Sequence, residues 1–310
     1  MSLKVRLAGL EFQNPLLLAS GTFGFGLELP GVVRRMGGIV SKGITLKPCP
    51  GNPAPRIWEV AGGIVNSVGL ENPGAVEFAR SIAPRMRFGN ARVLVNVAGF
   101  AREEFAEIIR RVDGPTISGF ELNVSCPNVK KGGTAFGQNP GLVARIVSTT
   151  RKVTGKLLVV KLTANFVDPR LTARAAAEAG ADAVSLINTL NALVLSRDGT
   201  PLLGGVTGGL SGPAVKPFAL YCVWRVAQAV KIPVIGCGGI VTAPDAVEFL
   251  KAGARIVQLG SVNLVNPRAS LEILGGLRKI NSPPRRKPRR EDSEPSSAFS
   301  MSPWCTEKSR

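Results

Sequence analysis

The chain predicts an α/β fold, a (β/α)8 TIM barrel carrying inserted loops and a hairpin at the C-terminal face of its strands. Three observations support it. Eight short apolar runs recur over about 250 residues, and most are continuous rather than alternating, as parallel strands covered on both faces require. Helical patterns separate many of them. Each run ends in a polar residue or glycine, on the side where such barrels build their sites. The competing doubly wound sheet is disfavoured because no G-x-G-x-x-G follows the first strand; Gly21-Thr22-Phe23-Gly24-Phe25-Gly26 has another spacing.

In chain order the strand-like runs are 15–19, 38–42, 93–97, 120–124, 157–162, 183–187, 233–237 and 256–260. Helical patterns cover 101–111, 138–153, 170–179, 216–230, 243–252 and 268–279. Pro169, Pro244 and Pro267 stand at or near helix starts, where a missing N–H costs nothing. Two insertions decorate the barrel. Residues 45–72 are rich in proline and glycine, with a hairpin centred on Trp58 to Val65. Residues 190–215 form a long glycine-rich loop, of which residues 190–205 are expected to act as a lid. Residues 1–280 read as one barrel domain. Residues 281–310, rich in Pro, Ser and charge with no periodicity, read as a disordered and atypical extension.

Composition narrows the function. The net charge is +18, yet the tail holds seven Lys/Arg against four Asp/Glu, and no long basic block is interleaved with aromatics. Nucleic-acid binding is therefore not expected, and the charge suits an anionic substrate or acidic partner. No apolar run approaches the roughly 20 residues of a membrane helix, and the N-terminus lacks a signal-peptide core, so a cytoplasmic location is expected. There is no histidine, so neutral-pH proton transfer falls to a thiol, a lysine or a carboxylate. Cys49, Cys126, Cys222, Cys237 and Cys305 include no C-x-x-C pair, so no metal site and no iron–sulfur cluster is expected on this chain.

The strand exits gather the candidate site: Ser20-Gly21, Lys42-Gly43, Asn96, Asn123 with Cys126, Lys161, Asn188-Thr189, Gly238-Gly239 and Gly260-Ser261. A lysine inside an apolar strand is costly unless it meets an anion. For Lys161 that anion is either a ligand or the nearby carboxylate of Glu121, while Lys42 has the further option of snorkelling to solvent. Glycines after the seventh and eighth strands suit a phosphate held by backbone N–H groups. In Asn123-Val124-Ser125-Cys126-Pro127-Asn128, polarity interrupts a buried strand and leaves Cys126 the best placed proton-transfer group.

Four motifs make the chain resemble the dihydroorotate dehydrogenases, specifically the catalytic subunit of the NAD-dependent class 1B type. They are Ser41-Lys42-Gly43-Ile44-Thr45, Asn66-Ser67-Val68-Gly69-Leu70, Asn123 to Lys130, and Val206 to Pro213, and the likeness runs from about residue 3 to residue 279. The resemblance implies one FMN per chain and oxidation of (S)-dihydroorotate to orotate in pyrimidine synthesis. Cys126 would take the C5 proton while hydride leaves C6 for the flavin. Substrate would be held by Lys42, Asn66, Ser67, Val68, Gly69, Leu70, Asn123, Asn188 and Thr189. FMN would be held by Ser20, Lys42, Gly43, Asn96, Asn123, Lys161, Ile187, Gly212, Gly238, Gly239, Gly260 and Ser261. The resemblance further implies a partner subunit with FAD and a [2Fe-2S] cluster, in an assembly of two plus two chains. The alternatives are a fumarate-reducing class 1A enzyme and a flavin- or phosphate-binding barrel without catalysis.

Overall fold

The computed structural model describes residues 3–125 and 136–281. The chain opens with two short antiparallel strands, β1 (Val5–Leu7) and β2 (Leu10–Phe12), paired Val5 to Phe12. Leu7 and Phe12 are fully buried against Leu17, Val40 and Leu94, so this hairpin plugs the bottom of the barrel. Burial of a side chain such as Phe12 contributes roughly 1.5–3 kcal/mol.

Next come β3 (Leu16–Leu18), the short helix α1 (Pro30–Val33), β4 (Gly38–Val40), and the hairpin strands β5 (Ile57–Val60) and β6 (Gly63–Asn66). A turn of helix, α2 (Ala75–Glu77), leads on towards β7 (Arg92–Val97). Regular alternation then sets in with α3 (Arg102–Val112), β8 (Gly119–Asn123), α4 (Pro140–Arg151), β9 (Leu157–Lys161), α5 (Pro169–Glu178) and β10 (Ala183–Leu186). After β11 (Leu190–Leu193) and β12 (Thr207–Ser211) follow α6 (Lys216–Ala227), β13 (Val234–Cys237), α7 (Ala243–Lys251), β14 (Ala254–Leu259), α8 (Val262–Val265) and α9 (Ala269–Ile280). Local chemistry explains the helices. Helix α3 buries Phe105, Ile108, Ile109 and Val112 on one face, with Glu103 and Glu104 in its first turn and Arg110 and Arg111 in its last. Asn139 and Asp168 cap α4 and α5, each followed by proline.

All eight runs read as barrel strands form barrel strands. They close in the order β10-β13-β14-β3-β4-β7-β8-β9, with every pairing parallel. The hairpin expected around residues 58–65 is β5–β6. Residues 190–215, expected to be a loop, contain two strands instead: β11 pairs with β12, and β12 with β6, making a four-stranded antiparallel sheet. The glycines here serve close approach. A Cβ on Gly208 would lie 2.6 Å from the Asn66 carbonyl oxygen, and one on Gly209 would lie 1.9 Å from Thr189 Oγ1. Among the described residues no helix is long and apolar enough to cross a membrane.

Candidate active site at the barrel mouth

Side chains on a strand alternate between faces, so the inner wall is read in steps of two. The inner core includes Leu94, Val159, Ala183, Ile235 and Ile256. One step towards the mouth from each stand Asn96, Lys161, Ser185, Cys237 and Gln258. An apolar core thus gives way, within one layer, to a polar floor.

Glu121 of β8 is fully buried at the centre of that floor. It accepts hydrogen bonds from Asn96 Nδ2 (2.9 Å), Ser185 Oγ (2.8 Å) and Gln258 Nε2 (2.6 Å). Lys161 Nζ donates to Gln258 Oε1 at 2.8 Å, so Gln258 stands between the ammonium and the carboxylate. Desolvation works against the charge on Lys161, but charge on Cys237 and Glu121, with a hydrogen bond to Cys237, outweighs it and raises the lysine pKa. Sequence reasoning gave Glu121 only as a possible counter-ion and passed over Gln258 and Ser185. Their signal was a glutamine and a serine inside the apolar runs 256–260 and 183–187.

Lys42, two residues past β4, is half-buried beside Glu71 (3.7 Å), which Arg56 holds at 2.6 Å. These three side chains, with Phe25, Cys49 and Asn72, line a cleft of about 620 Å³. Asn66 ends β6 and donates to the Gly209 carbonyl at 3.1 Å. Ser67 and Val68 are engaged by Asn52: Nδ2 meets Ser67 Oγ at 2.9 Å, and the Asn52 amide meets the Val68 carbonyl at 3.0 Å. Gly69 and Leu70 both have positive φ, and the Leu70 carbonyl accepts from Asn72 Nδ2. Asn123 Oδ1 accepts from Asn188 Nδ2 at 3.4 Å and from the Ser125 amide at 3.2 Å, which brings the ends of β8 and β10 together. The Thr189 carbonyl accepts from Asn165 Nδ2 at 2.9 Å. Cys126 lies outside the described residues, as does the tail beyond residue 281.

Ile187 is buried, and its Cγ1 lies 3.4 Å from where a Cβ on Gly238 would stand. Gly238 and Gly239 have φ of +127° and +72°, and a Cβ on either would come within 2.7 Å of Ala219 or Lys216. Gly212 (φ +109°) packs on Gly63, and its carbonyl reaches the same corner. Gly260 is open, with Ala19 Cβ 3.9 Å from the position of its absent Cβ, and Ser20 follows Ala19 at the end of β3. Ser261 leads into α8.

These residues fit FMN. Asn96 Oδ1 is buried without a hydrogen-bond partner, so the floor offers an acceptor for a ligand N–H. Gly43 stands over it, where a Cβ would come within 3.0 Å of that oxygen. A buried ammonium at Lys161 suits a carbonyl or anionic nitrogen, and the open backbone at Gly260 beside the Gly238-Gly239 turn suits a phosphate. A flavin mononucleotide carries all three groups.

Comparison with known proteins agrees with this geometry. A family model described as dihydroorotate dehydrogenase matches residues 2–280. Three curated relatives bear the name dihydroorotate dehydrogenase B (NAD(+)), catalytic subunit. That of Desulforudis audaxviator is 50% identical over 281 residues, covering 88% of this chain and 90% of the relative. That of Thermoanaerobacter pseudethanolicus is 48% identical over 282 residues, 90% and 93% of the two chains. That of Pelobacter propionicus is 47% identical over 279 residues, 89% and 92%. A polar floor in a closed parallel barrel, and likeness along nearly the whole chain, lead to one conclusion: this chain belongs to the dihydroorotate dehydrogenase family.

Proposed function

We propose that the chain oxidises (S)-dihydroorotate to orotate in pyrimidine synthesis, as the FMN-bearing catalytic subunit of an NAD-dependent enzyme. The observation that carries this is the buried floor itself, an ammonium and an unpartnered amide oxygen presented at the mouth of a barrel of this family. Cys126 is the base that removes the C5 proton, because its motif supplies the family's thiol and the chain has no histidine. A thiol titrates near pH 8.5 and lower beside positive charge, so it serves as a base near neutrality. Lys42 meets the substrate carboxylate, and Asn66, Asn123, Asn188 and Thr189 meet the ring amides, with the backbone of Ser67 to Leu70 folded over them. FMN, when bound, supplies the two-electron acceptor for the hydride leaving C6. Lys161 keeps a fixed positive charge beside that acceptor, and the barrel wall beneath it excludes water.

With no dinucleotide-binding fingerprint and no cysteine pair of cluster spacing, the chain needs a second protein to carry its electrons to NAD. The relatives' designation as catalytic subunits supports a separate electron-transfer subunit. That subunit carries FAD and a [2Fe-2S] cluster, in a cytoplasmic assembly of two plus two chains.

The test is spectroscopic. The purified chain should be yellow, and anaerobic dihydroorotate should bleach it. Cys126→Ala should retain FMN and lose the bleaching; unchanged bleaching removes Cys126 from the mechanism. Turnover with fumarate by the chain alone would favour the class 1A alternative over NAD reduction through a partner.

A further inference from the structure

The polar floor has a direction. Lys161 donates to Gln258, Gln258 donates to Glu121, and Asn96 and Ser185 donate to Glu121 as well. Every bond runs towards the carboxylate, which accepts at both oxygens and donates nothing. Among side chains only a carboxylate can end such a network with two acceptor atoms. An amide is different: each has one accepting and one donating end, so turning one end fixes the other. Gln258 gives its Nε2 to Glu121 and therefore shows Oε1 to Lys161. Asn96 gives its Nδ2 to Glu121 and therefore keeps Oδ1 free and buried, without a partner in the protein.

We propose that Glu121 is a positioning residue that sets the hydrogen-bond polarity of the site, fixing Asn96 as an acceptor and Lys161 as an oriented ammonium for the bound ligand. Glu121 does this from beneath, without touching the ligand. The ligand selected by such a pair has an N–H donor beside a carbonyl or anionic nitrogen, the pattern of a cyclic imide edge. FMN has this edge, and the proposal rests on the FMN reading above.

Glu121→Gln tests it, because the substitution keeps the shape and introduces a donor at the end of the network. Two NH2 groups then face each other, and either Gln258 or Asn96 must turn. If Gln258 turns, Lys161 loses its acceptor; if Asn96 turns, the ligand loses its own. The readouts are the FMN dissociation constant, from titration of the flavin-stripped full chain by fluorescence, and the midpoint potential of the FMN that remains bound. We expect affinity to fall about tenfold to a hundredfold, the effect of one mismatched buried hydrogen-bonding group, with a shifted potential. The double variant Glu121→Gln with Gln258→Glu moves the accepting end by one residue, and it should recover affinity to within about threefold of wild type. A purely structural loss would make the double variant worse than the single one, and that result overturns the proposal. Should Glu121→Gln not fold, Gln258→Met carries the test. It leaves the Asn96 bond intact, so FMN binds within about threefold of wild type, but the potential shifts because Lys161 is no longer held. An unchanged potential there, or wild-type affinity and potential in Glu121→Gln, overturns the proposal alone. A wild-type chain that binds no FMN overturns the cofactor reading and the proposal with it.

Discussion

The clamp behind the glycine turn gives the most quantitative prediction. Asp245 sits in the first turn of α7 and is 7% exposed. Its Oδ1 meets Lys216 Nζ of α6 at 2.5 Å, and its Oδ2 accepts from the amides of Val241 (3.0 Å) and Thr242 (2.8 Å) and from Thr242 Oγ1 (2.8 Å). Asp245→Ala removes all four. Loss of the capping box costs about 1 kcal/mol. Breaking a buried charge pair costs about 3–5 kcal/mol when the partner is orphaned. Lys216 keeps Glu248 at 2.9 Å, and that carboxylate is largely solvated, so we take about 2 kcal/mol for the pair. The sum is about 3 kcal/mol, or a melting temperature lower by about 6 °C for a domain of this size. The sign with pH follows from the shifts. Burial pushes the Asp245 carboxyl up, but Lys216, Thr242 and the two amides bring it below the ordinary carboxylate value. Its contribution is therefore full above that value and is lost as pH falls through the lower folded one. Hydrogen bonds to Asp245 and Glu248 hold the Lys216 ammonium above the ordinary lysine value, so its contribution persists at neutral pH and is lost only as pH rises through that raised value. Urea unfolding of wild type and Asp245→Ala should differ by about 3 kcal/mol at pH 7, with the gap narrowing below about pH 4. A gap under about 1 kcal/mol at pH 7, or one that fails to narrow in acid, refutes the reasoning.

Other substitutions probe the site directly. Lys161→Met should slow flavin reduction by dihydroorotate about 100- to 1,000-fold in stopped-flow absorbance, since it removes a preplaced charge; an unchanged rate would remove Lys161 from the chemistry. Lys42→Ala should weaken orotate binding about tenfold to a hundredfold in a flavin-absorbance titration, the scale of a lost charge-assisted bond. Gly239→Ala forces a side chain into φ +72°, with its Cβ 2.7 Å from Lys216 Cβ and 2.8 Å from the Gly212 carbonyl oxygen. FMN retained on purification should fall sharply, and wild-type retention would argue that this turn does not hold the phosphate.

Much of the barrel was legible because its strands are continuous apolar runs and its helices carry their own punctuation. Pro169 and Pro244 begin helices where their missing N–H is harmless, and the β5–β6 hairpin showed as two apolar stretches around Gly62-Gly63. Strands β11 and β12 were not legible for a specific reason. Glycine reads as freedom in sequence, yet Gly208 and Gly209 are there because Asn66 and Thr189 leave no room for a side chain. That contact joins residues far apart in the chain, and no local pattern encodes it. The N-terminal plug was absent from the strand pattern because its two strands are only three residues each, Val5–Leu7 and Leu10–Phe12, too short to show a period.

Lys161 shows how the site itself outran the sequence. A buried lysine left two options, a ligand or an ion pair with Glu121, and the structure answers with an amide between the two. In a protein-like dielectric a contact ion pair is worth about 4 kcal/mol at 4 Å, and an interposed amide several ångströms long removes roughly half of that. The ammonium therefore has an acceptor that holds it in place and an anion near enough to keep it charged. It is not so close to that anion that its field is cancelled. A direct Lys161–Glu121 pair would be a neutral structural plug. With Gln258 between them, the same two charges leave a positive potential at the barrel mouth, where a cofactor that gains negative charge on reduction would make use of it.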